Sequence, residues 1–284
     1  MKKSKSNQPK HSLELPQHSP KPRTNGITVL IDNGVPINFF KDVVDNYSHL
    51  IDYIKFGWGT SLITDAIGEK ISYLRKRKIG YFFGGTLFEK FYSQGKVEEF
   101  VEYCQFYKCP SVEISDGTLE IPGEEKVYWI ETLSKDFEVF SEVGYKAIDR
   151  SRSLHPAKWI EFMKRDLDAG ASYVILEARE SGKSGICRET GEVRYGLIEE
   201  VLSTDIRPDK MVFEAPNSAL QKFFVQRIGS NVNVANIPFA DIIPLETLRL
   251  GLRSDTLTYF DNVIVGQGKG SRPDFSSFLT KSKK

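Results

Sequence analysis

Histidine and cysteine are scarce in this chain, four and three among 284 residues, and the scarcity closes several routes to function. Cys104, Cys109 and Cys187 form no CxxC pair and no knuckle spacing. That excludes a zinc ribbon or a disulfide framework and fits reduced thiols in a cytoplasmic protein. The histidines are too scattered to form a metal cluster. Ser115 and Ser141 have no histidine in a matching position, and His155 beside Pro156 reads as the start of a helix, so no Ser-His-Asp triad is evident. With 39 Lys+Arg against 38 Asp+Glu the net charge is +1, too small a field to favour nucleic acid or an anionic membrane surface as a partner. No apolar run is long enough to span a bilayer, and none follows the basic N-terminus as a secretory signal would require.

Between two polar ends the composition is that of one folded domain. Residues 1–25 are rich in Lys, Ser, Pro and His and nearly devoid of apolar side chains, which predicts a disordered arm. Residues 261–284 have the same character and predict a flexible tail. From 26 to 260 a unit recurs: a short run of Val, Ile, Phe or Tyr, a polar or glycine-containing turn, then apolar residues at helical spacing. Eight such runs are present, at 27–32, 53–57, 79–85, 111–115, 137–142, 173–178, 211–215 and 231–236. Val97, Phe100, Val101 and Cys104 make one helical stripe, and Trp159, Phe162, Met163 and Leu167 another. Runs that are continuously apolar belong to a parallel sheet covered on both faces. No GxGxxG follows the first run, which disfavours a doubly wound open sheet. The predicted fold is therefore α/β, a single (β/α)8 TIM-type barrel.

In such a barrel the C-terminal strand ends build the site. Here they are unusually charged: Asp32, Lys55, Glu113, Glu142, Glu177 with Arg179, and Glu214, with Asn236 ending the eighth run and Lys146 just past the fifth. Any one acid could cap the following helix, and Glu89 and Asp116 suit that role best. Five acids converging on one rim repel unless cations offset them. Lys55, Lys146 and Arg179 supply part of that charge, and an oxygen-rich remainder suits a hard ion such as Mg²⁺. The loop Glu180–Ser181–Gly182–Lys183–Ser184–Gly185, with Arg188 and Arg194 beyond it, has the glycines, hydroxyls and cations of an oxyanion loop, although it lacks Walker A spacing. Arg249 and Arg253, after the last strand, are alternative phosphate ligands or helix C-terminal cations.

At these residues the sequence resembles the phosphosulfolactate synthases, which add sulfite to phosphoenolpyruvate. The strings that carry the resemblance are Ile54–Lys55–Phe56–Gly57–Trp58–Gly59–Thr60–Ser61, Gly84–Gly85–Thr86–Leu87–Phe88–Glu89, Val112–Glu113–Ile114–Ser115–Asp116–Gly117, Glu142–Val143–Gly144, Glu177–Ala178–Arg179–Glu180–Ser181–Gly182, Phe213–Glu214–Ala215–Pro216, and Leu245–Glu246–Thr247–Leu248–Arg249 with Gly251–Leu252–Arg253. They run in order over about residues 26 to 258. The resemblance implies a barrel, Mg²⁺ dependence and a carbon–sulfur lyase forming 2-phospho-3-sulfolactate through a metal-stabilised aci-carboxylate, a product that can feed coenzyme M synthesis. One departure stands out: after Glu142–Val143–Gly144 the family can carry two consecutive lysines, where this chain has Tyr145–Lys146.

On that reading Lys146 is the proton donor, with its pKa brought towards neutrality, and Lys55 and Arg179 stabilise developing charge. Glu113, Glu142 and Glu177 ligate Mg²⁺, while Asp32 and Glu214 support from behind. Lys183, Ser184, Gly185, Arg188 and Asn236 hold substrate. The alternatives are another enolate-forming barrel lyase or isomerase on a phosphorylated carboxylate, or a non-catalytic heat-stress-associated relative. Homo-oligomerisation is left open.

Overall fold

A computed structural model describes residues 12–261. The eight apolar runs form eight strands: β1 Thr28–Asp32, β2 Tyr53–Phe56, β3 Gly80–Phe83, β4 Ser111–Ile114, β5 Glu138–Val143, β6 Tyr173–Leu176, β7 Met211–Glu214 and β8 Val234–Ile237. All pair in parallel in the order β3-β2-β1-β8-β7-β6-β5-β4. β3 and β4 then lie side by side and bring the sheet round into a (β/α)8 barrel. Helices α1 Ile37–Tyr47, α2 Ile67–Arg77, α3 Gly85–Tyr92, α4 Val97–Phe106, α5 Gly123–Leu133, α6 Ile148–Ser153, α7 Pro156–Asp168, α8 Tyr195–Leu202, α9 Ser218–Ile228 and α10 Ile242–Arg249 surround it. The two stripes read from the sequence fall on α4 and α7, where Phe100, Cys104, Trp159 and Met163 are buried. None of the described helices is long and apolar enough to cross a membrane.

The pleat explains how apolar strands deliver charge to one end. Side chains two residues apart share a face. Inside the barrel Phe82 stacks on Phe140 at 4.8 Å between ring centres, and Phe140 stacks on Tyr173 at 4.9 Å, with Val29, Ile175, Val212 and Ala235 in the same cluster. Two residues further along the strands, in the same inward phase, come Lys55 after Tyr53, Glu142 after Phe140, Glu177 after Ile175 and Glu214 after Val212. A floor of aromatic and aliphatic side chains thus lies directly beneath a ring of charge. Burying each large apolar side chain of that floor contributes roughly 2 kcal/mol, offsetting part of the cost of desolvating the ring above it.

Two expectations about the ends meet the structure differently. The tail from 262 onward lies outside the described residues, as do residues 1–11. From Gln17 to Arg23, however, the chain is fastened across the N-terminal face of the barrel, so ordered structure starts earlier than composition predicts. His18 Nδ1 lies 2.9 Å from Glu246, the Ser19 amide donates to Asn231 Oδ1 at 2.9 Å, and Arg23 Nε pairs with the buried Asp52 at 3.1 Å. Polar anchors hold this stretch, and a count of apolar residues does not register them. The last strand also starts later than expected, at Val234, because Asn233 turns its amide side chain into the ladder: its Oδ1 accepts from Ile27 N at 2.9 Å and its Nδ2 donates to the Met211 carbonyl at 3.2 Å.

Candidate active site

A cavity of about 600 Å³ opens at the C-terminal ends of the strands. Lys55, Glu113, Glu142, Lys146, Glu177, Arg179, Glu214 and Asn236 all reach it. Lys55 is its hub: Nζ lies 2.9 Å from Glu113 Oε1, 3.2 Å from Glu214 Oε1 and 3.9 Å from Glu142 Oε2. Lys146, a quarter exposed, stands across from it, 2.5 Å from Glu142 Oε1, 3.6 Å from Glu177 Oε2 and 3.9 Å from Glu89 Oε1. Glu214 is held by the Ala178 amide at 2.9 Å.

Burial sets the protonation of these groups, and the lysines redistribute it. Desolvation would lower both lysines, but the carboxylates around them outweigh it: Glu113, Glu214 and Glu142 lift Lys55, and Glu142, Glu177 and Glu89 lift Lys146. The sequence reading that brought Lys146 towards neutrality is corrected by its surroundings, since anions rather than cations are its nearest neighbours. Glu142 is pushed up by burial, yet Lys146 and Lys55 hold it well below the carboxylate range. Glu177 moves up, by burial and by repulsion from Glu142. Glu113 rises to about 7, mainly by burial, against the pull of Lys55.

That shift predicts a pH dependence. Folded Glu113 keeps a proton that the unfolded chain releases above its ordinary value near 4.5. Its contribution to stability is therefore present below about 4.5 and is lost as pH rises through about 7. Urea unfolding of cation-free protein across this window should show that decline, and Glu113→Gln should flatten it; an unchanged slope in the variant would remove Glu113 as the cause.

The donor set was tested for a metal. The carboxylates of Glu142, Glu177 and Glu214 each offer an oxygen within 4.8 Å of the others. Glu113, fully buried, has neither oxygen engaged by a hydrogen-bond donor, since Lys55 stands close but out of line. With all four carboxylates ionised they exceed the two ammonium groups by two charges, an excess that protons on the upshifted acids or one divalent cation would balance. A hard, oxygen-preferring ion fits this all-carboxylate set. The geometry groups Glu214 with Glu142 and Glu177 as carboxylates that could share an ion, whereas the sequence reading placed Glu113 there and Glu214 behind. Glu113 remains part of the lining of the same cavity.

Other expected residues lie elsewhere. Asp32 faces away from the cavity: it accepts from Lys70 Nζ at 2.6 Å and from the Gly34 and Val35 amides at 3.0 and 2.8 Å, pinning the turn after β1 to α2. Lys183, Ser184 and Arg188 line a separate hollow, not this cavity. Gly185 instead lies behind the site, its Cα so close to the Glu177 carbonyl that a Cβ would come within 1.9 Å of that oxygen. Arg249 is buried at the opposite face, donating to the Ser230 carbonyl, far from any mouth-side phosphate. Neither Glu89 nor Asp116 caps a helix: Glu89 Oε2 accepts from the Thr118 and Leu119 amides at 2.9 and 2.6 Å, and Asp116 pairs with the buried Lys126 at 2.8 Å.

The structure adds Ser115, the start of α3 and Trp58 to the expected residues, and shows the surroundings of Asn236 and Arg179. Ser115 Oγ bridges Glu89 and Glu142 at 2.8 and 2.7 Å. The first turn of α3, Gly85 and Thr86, opens on the cavity, and a Cβ at Gly85 would meet Ser115 Cβ at 2.3 Å. Free amides at a helix start favour an anion. Trp58 and Asn236, both with left-handed backbone at φ 53° and 57°, also line the wall. The Asn236 Oδ1 is buried without a partner. Strain and an unmatched polar atom at a cavity wall are what a ligand contact would relieve. Arg179 stands exposed at the rim with no ion pair among the described residues.

Buried acids and lysines gathered at the C-terminal mouth of a (β/α)8 barrel define a barrel enzyme. A family model described as (2R)-phospho-3-sulfolactate synthase (ComA) matches residues 16–255, and the chain belongs to that family. It is 52% identical over 245 residues to a phosphosulfolactate synthase of Bacillus subtilis, covering 86% of this chain and 97% of that protein. To the phosphosulfolactate synthase of Methanocaldococcus jannaschii it is 43% identical over 235 residues, covering 81% and 93%. A more distant relative, Protein HEAT-STRESS-ASSOCIATED 32 of Arabidopsis thaliana, is 23% identical over 256 residues, covering 81% of this chain and 87% of that one. Among solved structures, the carboxyl transferase domain of Rhizobium etli pyruvate carboxylase with 3-bromopyruvate shares the barrel fold, with a TM-score of 0.53 at 9% identity over 76% of this chain and 40% of that one.

Proposed function

We propose that this cavity joins sulfite to phosphoenolpyruvate to give 2-phospho-3-sulfolactate. The observation that carries the reading is the pairing, in one cavity, of two lysines held protonated with four buried carboxylates. In the reaction the sulfite sulfur lone pair forms a bond to the methylene carbon, and the C=C pair moves towards the carboxylate as an aci-carboxylate. A proton then reaches the carbon that bears the phosphate, and no group leaves.

Lys146 is placed for the last step: its carboxylate neighbours keep the ammonium form populated at neutral pH, and negative charge gathering on the substrate carbon supplies the drive for releasing a proton they hold tightly. Lys55 and Arg179 offer positive charge where negative charge builds. The α3 N-terminus at Gly85–Thr86, with Arg179, is the anion cradle nearest the lysines and takes the phosphate in this reading. Asn236 offers a side chain without an internal partner for a polar substrate group. Mg²⁺ held by Glu142, Glu177 and Glu214 would supply Lewis-acid charge opposite the substrate carboxylate.

A product assay with sulfite, phosphoenolpyruvate and Mg²⁺, each omitted in turn, tests this directly. Sulfolactate phosphate is expected only when all three are present. Consumption of phosphoenolpyruvate without uptake of sulfite would instead favour another enolate chemistry. Trapping of a substrate adduct by borohydride would indicate Schiff-base formation at Lys55 or Lys146.

A further inference from the structure

Next to the acid-lined cavity, a second hollow of about 290 Å³ carries the opposite charge. Arg152, Lys183, Arg188 and Arg194 surround it, and Glu189 is the single acid among its lining residues. Its walls are laced together rather than loose. Arg194 donates to the Ser151 and Leu154 carbonyls, both at 2.8 Å, Ser184 Oγ donates to the Tyr145 carbonyl at 2.9 Å, and the Gly185 amide donates to Ser151 Oγ at 2.9 Å. Cys187 bridges Val193, and the Arg188 amide donates to the Glu192 carbonyl at 2.7 Å, forming a small hairpin that carries Arg188.

The cations here are poorly compensated. Arg152 and Lys183 make no ion pair among the described residues, and the contact of Arg188 with Glu192 is long, at 4.0 Å. Arg194 is pushed below its usual value, first by burial and then by repulsion from Arg188. Like charges assembled in a walled hollow raise the local potential and draw in counter-ions. A preorganised wall lowers the entropy cost of holding one.

We infer that this hollow is a second anion site, separate from the central cavity, for a compact, doubly charged oxyanion: a phosphate or sulfite group. It stands independently of the function proposed above. Its back wall touches the active site, because the Ile186 amide donates to the Glu177 carbonyl at 2.8 Å and Gly185 packs against the same peptide. An occupant would therefore brace the segment that presents Glu177.

The test is calorimetric titration of inorganic phosphate, and separately of sulfite, into the full chain without other substrate. Phosphate is expected to bind. The double variant Arg152→Ala/Lys183→Ala should weaken binding at this site by about tenfold or more, Arg188→Ala should weaken it too, and Arg179→Ala should remove only whatever phosphate binds in the central cavity, leaving the affinity of this site unchanged. The altered residues are exposed, so an unchanged unfolding temperature will show that the variants fold. Sulfite displacing phosphate would identify the reaction's own substrate as the occupant. Phosphate binding that sulfite cannot displace would point to a phosphate-bearing ligand. Loss of binding in Arg179→Ala but not in the double variant, or no binding of either anion at millimolar concentration, would overturn the inference.

Discussion

Replacing Lys146 with alanine is expected to lower kcat by about a thousandfold, within the usual range for loss of a general acid, while KM for phosphoenolpyruvate changes little. The expectation rests on position. Lys146 is the ammonium that shares its carboxylate contacts with the Glu142–Glu177 side of the cavity, and it is part-exposed, so a substrate can reach it. Removing it also removes a charge, and the two effects must be separated. Lys146→Arg keeps the charge but replaces a donor amine with a guanidinium that does not release its proton at working pH. If proton donation is the role, the arginine variant should be nearly as inactive as the alanine variant. Recovery of most activity with arginine would reduce Lys146 to a counter-charge, and full activity with alanine would take it out of the mechanism.

Removal of divalent cations is the second change expected to abolish turnover, with Mg²⁺ restoring it. Without a cation the buried ring holds Glu113, Glu142, Glu177 and Glu214 against Lys55 and Lys146, and both proposed substrates are anions. Protons can partly fill the deficit, as the upward shifts of Glu113 and Glu177 show, but a proton cannot hold a substrate oxygen in place. Glu177→Gln keeps the shape of the side chain and removes one charge. Its apparent affinity for Mg²⁺ should fall at least tenfold, in line with losses seen when a metal site is perturbed, and activity at saturating Mg²⁺ should recover in part. Asp32→Asn, which faces Lys70 rather than the cavity, should leave Mg²⁺ affinity unaltered. Full activity in the presence of excess chelator would exclude a metal requirement.

The strand pattern made both fold and site legible. Eight apolar runs interrupted by turns give a barrel, and an acid or lysine at the end of a run is carried to the mouth by strand direction alone, which is why Lys55, Glu113, Glu142, Glu177 and Glu214 meet there. Residues outside strands were less readable. Lys183 and Arg188 sit in a loop whose path depends on Arg194 and Ser184 finding carbonyls on α6 and the β5 loop, contacts with no local signature. The protonation of Lys146 could not be read either, since it depends on which charges lie within a few ångströms across three strands. Asp32 ends its run but lies in the outward phase of β1, opposite to Val29 and Ile31, and there it meets a lysine on α2. Gly84–Gly85–Thr86 carried a signal that could have been used: two glycines between a strand and a helix start mark a close backbone approach.

In the proposed reaction the gathering of carboxylates in the cavity would also set an order of events. Phosphoenolpyruvate and sulfite approaching the ring with its carboxylates ionised would face net repulsion, which a divalent cation bound first would cancel. Steady-state kinetics should then be sequential with metal leading, and inhibition by excess substrate should follow capture of free Mg²⁺ in solution rather than a misplaced second molecule in the site. On the proposed reading the same acids would keep stray anions from the lysines until a cation is bound.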